Sequence, residues 1–367
     1  MCIRDRFLDA LTYAVPVSLQ PPVLGARVRV PVGRRLVTGC VVGVNAEAPV
    51  AAVKTIDGVL DTEAVVLPEL LDLCRWISEY YVAGLGDAIQ LALPPGSVAG
   101  NARVATTRTF AVTKAGLGAR ESQANRGDAP GLTPRQRAAL ELLVDAGGEL
   151  ALVRFRELGG SESALRRLLE GGFVTATEAR RERDPFVADP GADVTVDAER
   201  SLTVEQQAAL ETLVPLVSAR RFGVALLLGV TGSGKTEIYL RLAREAIASG
   251  RGVLLLVPEI ALTPSVAALF RLAFGSRVAV QHSGLSPGER LDQWDKIRRG
   301  DVDVVIGTRS AVFAPMGALG LVIVDEEHDS SYKQDETPRY HGRDVAIMRA
   351  QAAGALVVLG SATPSIE

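Results

Sequence analysis

Cysteine is nearly absent from this chain. The 367 residues include three, Cys2, Cys40 and Cys74. They are odd in number and far apart, so neither a disulfide framework nor a metal site is expected, and a reducing cytoplasm fits. No apolar run approaches the roughly 20 residues that cross a bilayer, which argues against a membrane partner. The first residues lack the apolar core of a secretory signal. An excess of positive charge is missing too: 40 Lys and Arg face 43 Asp and Glu, a net charge of −3. Composition therefore offers no general affinity for nucleic acid, and any such contact has to be local. What remains is ordinary globular composition, 47% hydrophobic and 23% charged, in a chain long enough for two or three domains with cores.

Only five lysines occur, and one sits in a distinctive place. Gly229-Val230-Thr231-Gly232-Ser233-Gly234-Lys235-Thr236 follows an apolar strand-like run, Val224 to Leu228, and precedes an amphipathic helical stretch from Glu237. Strand, glycine-rich loop and helix in that order form a P-loop. Gly229, Gly232 and Gly234 let successive amide N–H groups converge on an anion, and the helix N-terminus adds its dipole there. Lys235 supplies a point charge for the β- and γ-phosphates, and the Thr236 hydroxyl suits Mg2+. A chance glycine-rich turn gives this pattern about one time in a hundred or less.

A P-loop serves kinases, GTPases, transporters and helicases alike, and a second motif has to choose. Leu321 to Val324 is another strand-like run, ending in Asp325-Glu326-Glu327-His328. Asp325 is placed to hold Mg2+ through water, and Glu326 to orient and deprotonate an attacking water; a solvated acidic helix start is the competing reading. A third run, Val357 to Leu359, leads into Gly360-Ser361-Ala362-Thr363. An SAT triplet downstream of DEEH resembles motif III of superfamily 2 helicases. The three motifs in this order describe a motor lobe.

The rest of the chain divides around that lobe. Residues 7–97 look like a small mixed α+β domain, with strand-like alternation at Val28 to Val32 and Thr38 to Val44 flanking a turn at Gly33-Arg34-Arg35. No acidic residue occurs between Asp9 and Glu47, while Arg27, Arg29, Arg34 and Arg35 do; this is a solvated hairpin or a basic lip for phosphates. Leu67 to Val82 reads as a helix with Leu70, Leu71, Cys74 and Ile77 on one face, and Leu93-Pro94-Pro95-Gly96 as a domain end. Residues 98–131 read as a strand and loose linker. From 132 to 183, a helix capped by Thr133-Pro134 with Ala139, Leu140, Leu143 and Val144 as its core face, a helix at Ser163 to Leu169 carrying Arg166 and Arg167, and a strand at Phe173 suggest a winged helix; a generic helical spacer fits nearly as well. Residues 184–200 read as a linker. In 201–367, strand-like runs at Val224–Leu228, Val253–Val257, Val278–Gln281, Val302–Ile306, Leu321–Val324 and Leu356–Leu359 alternate with helices. That pattern is a doubly wound parallel sheet with its ligand site beyond the strand carboxyl ends.

The lobe resembles the PriA family of replication-restart helicases over essentially its whole length. Leu202-Thr203-Val204-Glu205-Gln206 is similar to the family's Q-motif, which implies that Gln206 reads the adenine edge of ATP. Pro258 to Pro264 is similar to motif Ia, His282 to Ser286 with Glu289-Arg290 to a further block, and Gly307-Thr308-Arg309-Ser310-Ala311-Val312-Phe313 to motif Ib. Asp329 to Gln334, continuing through Pro338-Arg339-Tyr340-His341-Gly342-Arg343-Asp344, resembles an aromatic-rich loop that links DNA binding to ATP hydrolysis. Stacking of Tyr332 and Tyr340 on bases, beside Lys333, His341 and Arg343, suits single-stranded DNA; a buried aromatic pair is the competing reading. Val28 to Arg35 and onward to Pro94 resembles a domain binding DNA 3′ ends, with Thr12, Gly33 and Lys54 as its pocket, and residues 132–183 take the family's winged-helix position. The resemblance implies a RecA-like motor lobe, forked and single-stranded DNA, single-stranded-DNA-binding protein and primosome-loading proteins as partners, and a cytoplasmic, nucleoid-associated location.

The sequence departs from the family at three places. Leu11-Thr12 stands where a Phe-Asp pair is usual, Met1 to Arg6 does not resemble the first strand, and the chain stops at Glu367, before a second motor lobe and its inserted zinc-binding cysteines. Zinc is expected only there. The expected activity is ATP-dependent 3′→5′ unwinding at stalled forks, carried by a protein of which this is an N-terminal portion. Another superfamily 2 translocase and a non-catalytic fork-recognition scaffold are the alternatives.

Overall fold

The computed structural model describes residues 10–44, 53–96, 106–125, 132–180, 183, 185, 201–259 and 264–365. Phe7, the opening Met1 to Arg6, nearly all of the 184–200 linker, four positions of the motif Ia stretch (260–263) and Glu367 lie outside the described residues. The chain forms two compact units, one of Met1–Ala102 with Asp184–Glu367 and one of Arg103–Arg183.

In the first unit, Arg27–Val32 (β1) and Arg35–Cys40 (β2) form an antiparallel hairpin, and Gly58–Val59 (β3) lies on the other side of β1. Val32 pairs with Arg35, so Gly33-Arg34 is a two-residue loop, and Gly33 takes φ +58°, which such turns favour in glycine. The strand period of two buries Val28 and Val30 and turns Arg27 and Arg29 outward. The second strand stops at Cys40, short of the expected Val44. Pro68–Tyr80 (α1) starts on a proline whose missing N–H costs nothing there, and it buries Leu70, Leu71, Leu73, Cys74 and Ile77. A helix not separated in the sequence, Leu85–Ala92 (α2), ends just before Pro94-Pro95. The breaker ends the helix, but not the packing. Leu70, Cys74 and Ile77 share one hydrophobic cluster with Phe313, Tyr340 and Val345 of the motor lobe.

The lobe itself is a six-stranded parallel sheet: Gly223–Leu228 (β7), Gly252–Leu256 (β8), Val278–Gln281 (β9), Val304–Gly307 (β10), Leu319–Val324 (β11) and Leu356–Ser361 (β12). Their spatial order is β7-β12-β11-β8-β10-β9. Helices Val204–Ser218 (α7), Lys235–Ala248 (α8), Pro264–Phe274 (α9), Pro287–Arg298 (α10) and Gly342–Ala353 (α11) connect or precede them. Alternate residues feed opposite cores: Leu254, Val305, Val322 and Val357 enter one cluster, and Val253, Val304, Leu321 and Val358 the other. Burial on both faces explains the unbroken apolar runs of β8 to β12, whereas at the edge strand β7 the side chains of Val224, Leu226 and Leu228 are exposed. The lobe is RecA-like and doubly wound, as expected.

The second unit packs Pro134–Asp145 (α4), Leu152–Glu157 (α5) and Glu162–Glu170 (α6) on an antiparallel sheet of Glu149–Ala151 (β5), Thr106–Val112 (β4) and Val174–Arg180 (β6), in the order β5-β4-β6. Helix–strand–helix–helix–strand is the order of a winged helix. Thr133 and Gln136 form a full capping box at the start of α4. One expectation fails here. Lys114–Asn125 is a helix (α3), not loose linker. Gly116 within it answers to packing, because a Cβ there would sit 2.3 Å from the Phe173 carbonyl oxygen.

A buried arginine ties α11 to the segment after β10. Arg349 donates to the carbonyls of Val312 at 2.5 Å, Ala314 at 2.7 Å and Met316 at 3.1 Å, and burial pulls its guanidinium down to about 10. Arg349→Met strands the buried Val312 and Met316 carbonyls, each worth about 1–3 kcal/mol, while that of Ala314 keeps the Met316 N–H at 2.7 Å. The variant should lose several kcal/mol of unfolding free energy and unfold at a lower denaturant midpoint; a change within error would show that water or a shifted backbone satisfies them.

Candidate functional site

The phosphate-binding loop, the acidic motif and the SAT triplet converge at three adjacent strand ends. The Gly229 N–H donates to the Ser361 carbonyl at 3.0 Å, and the Glu327 N–H to the Gly360 carbonyl at 3.0 Å. Between β7 and α8 the loop carries Val230 and Thr231 on its exposed tip, then Gly232 and Gly234 at φ +80° and +84°. Gly234 has a second reason to be glycine: a Cβ there would lie 2.3 Å from the Gln206 amide nitrogen. Lys235 opens α8 and is buried. Its Nζ donates to the Gly229 carbonyl at 2.7 Å and lies 3.2 Å from Glu326 Oε1. Glu326 reaches it from φ +43°, a left-handed conformation that costs a non-glycine residue about 1–3 kcal/mol. Thr236 follows, half-buried in the first helical turn.

Asp325 is gripped from two sides. The Tyr239 phenol on α8 donates to its Oδ1 at 2.8 Å, and the Tyr332 phenol to its backbone carbonyl at 2.7 Å. Burial raises the Asp325 carboxyl above the ordinary aspartate value. His328 joins two motifs, with Nδ1 2.8 Å from Ser361 Oγ and Nε2 3.2 Å from Thr363 Oγ1. Gln206 caps α7 by accepting from the Thr203 N–H at 3.0 Å, while its amide nitrogen donates to the Ser233 carbonyl at 2.8 Å. The residue expected at an adenine edge thus also fastens the P-loop. Ser233 Oγ is buried with no hydrogen-bond partner among the described residues. An orphan hydroxyl, a buried lysine and left-handed glycines together suit a phosphate chain. Thr236 and Asp325 are the oxygen donors a hard cation such as Mg2+ prefers. The residues fit both groups.

The expected DNA contacts fare unevenly. Thr308 and Arg309 come together on a cleft of about 230 Å³ at the carboxyl ends of β9 and β10, which Gln281, His282, Arg290 and Tyr340 also line. Lys333 is exposed. Stacking by the tyrosines is not supported. Tyr332 is 0% and Tyr340 1% exposed, Tyr340 meets Phe313 edge-on at 5.3 Å, and burial holds its phenol up at about 12. The buried-pair reading holds, because both rings pack into one core cluster with Phe313 and Val345. Arg309 donates to the Ser331 carbonyl at 2.7 Å and to that of Lys333. Arg343, also expected on DNA, is instead buried against Glu327 at 2.9 Å. His341 is half-buried, its backbone N–H held by the Tyr81 hydroxyl at 3.2 Å.

At the N-terminal region, Lys54 Nζ lies 3.5 Å from the Gly33 carbonyl, and the Ala14 N–H donates to the Lys54 carbonyl at 2.9 Å, two residues beyond the exposed Thr12. The acid-free window is acid-free only along the chain. Asp61 pairs with Arg27 at 2.8 Å and Asp57 pairs with Arg29, which leaves Arg34 and Arg35 as the exposed pair at the hairpin tip. Tyr239 is the residue that sequence reasoning missed. Its signal was helical spacing: four residues after Lys235, it shares that residue's buried face.

Residues 4–94 match the family model of a 3′DNA-binding domain (3′BD), and residues 203–367 that of a DEAD/DEAH box helicase. The replication restart protein PriA of Chlamydia pneumoniae is 38% identical over 100% of this chain and 48% of its own length. That of Haemophilus influenzae is 39% identical over 97% and 47%, and that of Bacillus subtilis 35% identical over 99% and 52%. The chain belongs to the PriA family. It spans about half the length of these PriA relatives.

The Glu327–Arg343 pair braces this PriA-type site from behind, since Glu327 also accepts from the Ser365 N–H at 2.8 Å. Burial alone would raise the Glu327 carboxyl, but Ser365 and Arg343 outweigh it and hold the group below the ordinary 4.5. The folded protein therefore binds this proton less readily than the unfolded chain does. The stabilisation is present in full above 4.5 and fades as pH falls below it. Glu327→Ala leaves Arg343 with only the Asp344 carboxylate at 3.1 Å and should cost up to about 3–5 kcal/mol at neutral pH. Its gap from wild type should narrow in acid; an equal gap at pH 7 and pH 3 would refute the assignment.

Proposed function

We propose that this chain is the portion of a replication-restart DNA helicase that binds ATP and grips DNA. The buried Lys235–Glu326 contact at 3.2 Å carries the reading, because it sets the phosphate-binding lysine beside the carboxylate that activates water. Lys235 neutralises phosphate charge, the loop amides and the α8 N-terminus bind the phosphate oxygens, and Gln206 carries the state of the adenine end to Ser233. Thr236 and Asp325 would hold magnesium, which would supply positive charge against the phosphates. Glu326, released from Lys235 when phosphate competes for the ammonium, orients and accepts a proton from the attacking water. His328 reports that event to the SAT triplet through Ser361 and Thr363.

The DNA side of the proposal has two parts. Thr308, Arg309 and Lys333 contact a single strand at the cleft. Thr12, Gly33 and Lys54 receive a DNA 3′ end, as the match to a 3′DNA-binding domain supports. Gly33 has open space around its Cα, so a nucleotide could approach the backbone closely. Travel is 3′→5′, the DNA is forked, and single-stranded-DNA-binding protein and primosome-loading proteins are the partners. A second motor lobe supplies the arginine that completes hydrolysis and the cysteines that bind zinc. The work is done on the nucleoid; no described helix is long and apolar enough to cross a membrane.

In a protein of the relatives' full length, Lys235→Ala should weaken nucleotide binding by about 1.5–3 kcal/mol, the worth of a charged hydrogen bond. Glu326→Gln should keep that affinity yet lower DNA-stimulated hydrolysis about 10²–10⁴-fold. Wild-type turnover in either would overturn the site. For the DNA end, residues 1–367 should prefer duplexes with a 3′-hydroxyl over a 3′-phosphate at fixed salt. The preference should shrink in Lys54→Ala and Thr12→Val by about 0.5–1.5 kcal/mol each. Equal binding to both ends would reduce this region to a general phosphate contact.

A further inference from the structure

Tyr239 lies off the P-loop proper, yet its hydroxyl touches two other motifs. It donates to Asp325 Oδ1 at 2.8 Å, and it fills the hollow over Gly360, where a Cβ would meet it at 1.8 Å. The ring is 2% exposed, so it does not line a surface. A phenol is an unusual choice for an apolar helix face: phenylalanine would fill the same core without carrying a polar group into it. The hydroxyl therefore calls for its own explanation, and its partner supplies one. A donor 2.8 Å from Oδ1 fixes the rotation of the Asp325 carboxylate and leaves Oδ2 without that contact. The backbone is pinned separately, by the Tyr332 phenol on the Asp325 carbonyl at 2.7 Å. Side chain and main chain of one aspartate are thus each held by a buried tyrosine from a different element.

We propose that Tyr239 is a positioning residue for Asp325, holding its carboxylate in the orientation needed for the magnesium that accompanies nucleotide. This rests on the ATP reading of the site. The bare glycine at 360 belongs to the same device, because it makes room for the phenol to reach across from α8.

The test measures ADP affinity of residues 1–367 by titration calorimetry, with EDTA and with Mg2+, and takes the ratio of the two dissociation constants. If the wild type binds no ADP, the ATP reading fails and the proposal fails with it. If the wild type binds and magnesium tightens it, Tyr239→Phe should leave the EDTA value within twofold and lose about tenfold of the magnesium effect, the scale of one hydrogen bond to a charged group. Gly360→Ala should do the same by displacing the hydroxyl. A Cβ at 360 would also stand 3.1 Å from Asp325 Oδ1, so Tyr239→Phe, which leaves that glycine in place, is the deciding variant. A purely structural role predicts the opposite pattern: a lower unfolding temperature and equal losses with and without Mg2+. An unchanged ratio in Tyr239→Phe would overturn the proposal while leaving the ATP site intact.

Discussion

The motor lobe depends on one buried charge, the ammonium of Lys235. A charge out of water needs a partner and hydrogen bonds, or it deprotonates. Here the Gly229 carbonyl and Glu326 provide both. Each of those partners imposes a further constraint. The Gly229 carbonyl is within reach only because the loop curls through left-handed glycines at 232 and 234. Glu326 is within reach only because its own backbone accepts φ +43°. Strain of that kind persists where the surroundings over-determine it, and here the Glu327 and Asp325 N–H groups are fixed to Gly360 and Leu256.

From this centre the acidic motif works outward in several directions. Asp325 faces two tyrosines, Glu326 faces the lysine, Glu327 faces Arg343 and Ser365, and His328 faces the SAT hydroxyls. Four consecutive side chains thus reach Tyr239 on α8, the phosphate loop at Lys235, the segment behind the site and the SAT triplet. A displacement of any one is felt by the others because they share a single backbone turn. The aromatic-rich segment enters this arrangement through Tyr332, whose phenol is bonded to the Asp325 carbonyl. Its influence on the site is therefore a matter of a buried hydrogen bond, not of a ring offered to solvent.

The N-terminal region is not an appendage to that lobe. The apolar stripe of α1 that the spacing of Leu70, Leu71, Cys74 and Ile77 announced has to be covered, and the cover is the face of the lobe containing Val345 and Phe313. The Tyr81 hydroxyl on the His341 amide lies at the same junction. Such shared burial couples the position of the hairpin region to the segment that follows DEEH.

Local chemistry was legible in the sequence wherever it depends on chain neighbours. Strand, glycines, lysine and helix follow one another within 229–236, so the P-loop was readable, as were the apolar strands and the Thr133 cap. Tertiary structure decided what depends on residues far apart. Arg27 and Arg29 looked like a basic lip until β3 brought Asp57 and Asp61 alongside. Tyr332, Tyr340 and Arg343 looked available because charge surrounds them along the chain, but the rings are buried and Arg309 and Arg343 are taken by partners up to 24 residues away. The polar stretch after Val112 looked like a loose linker, yet Lys114–Asn125 is a helix whose Gly116 lies close against the Phe173 carbonyl. Sequence fixes which groups exist and their local geometry; only folding fixes which of them are left facing water.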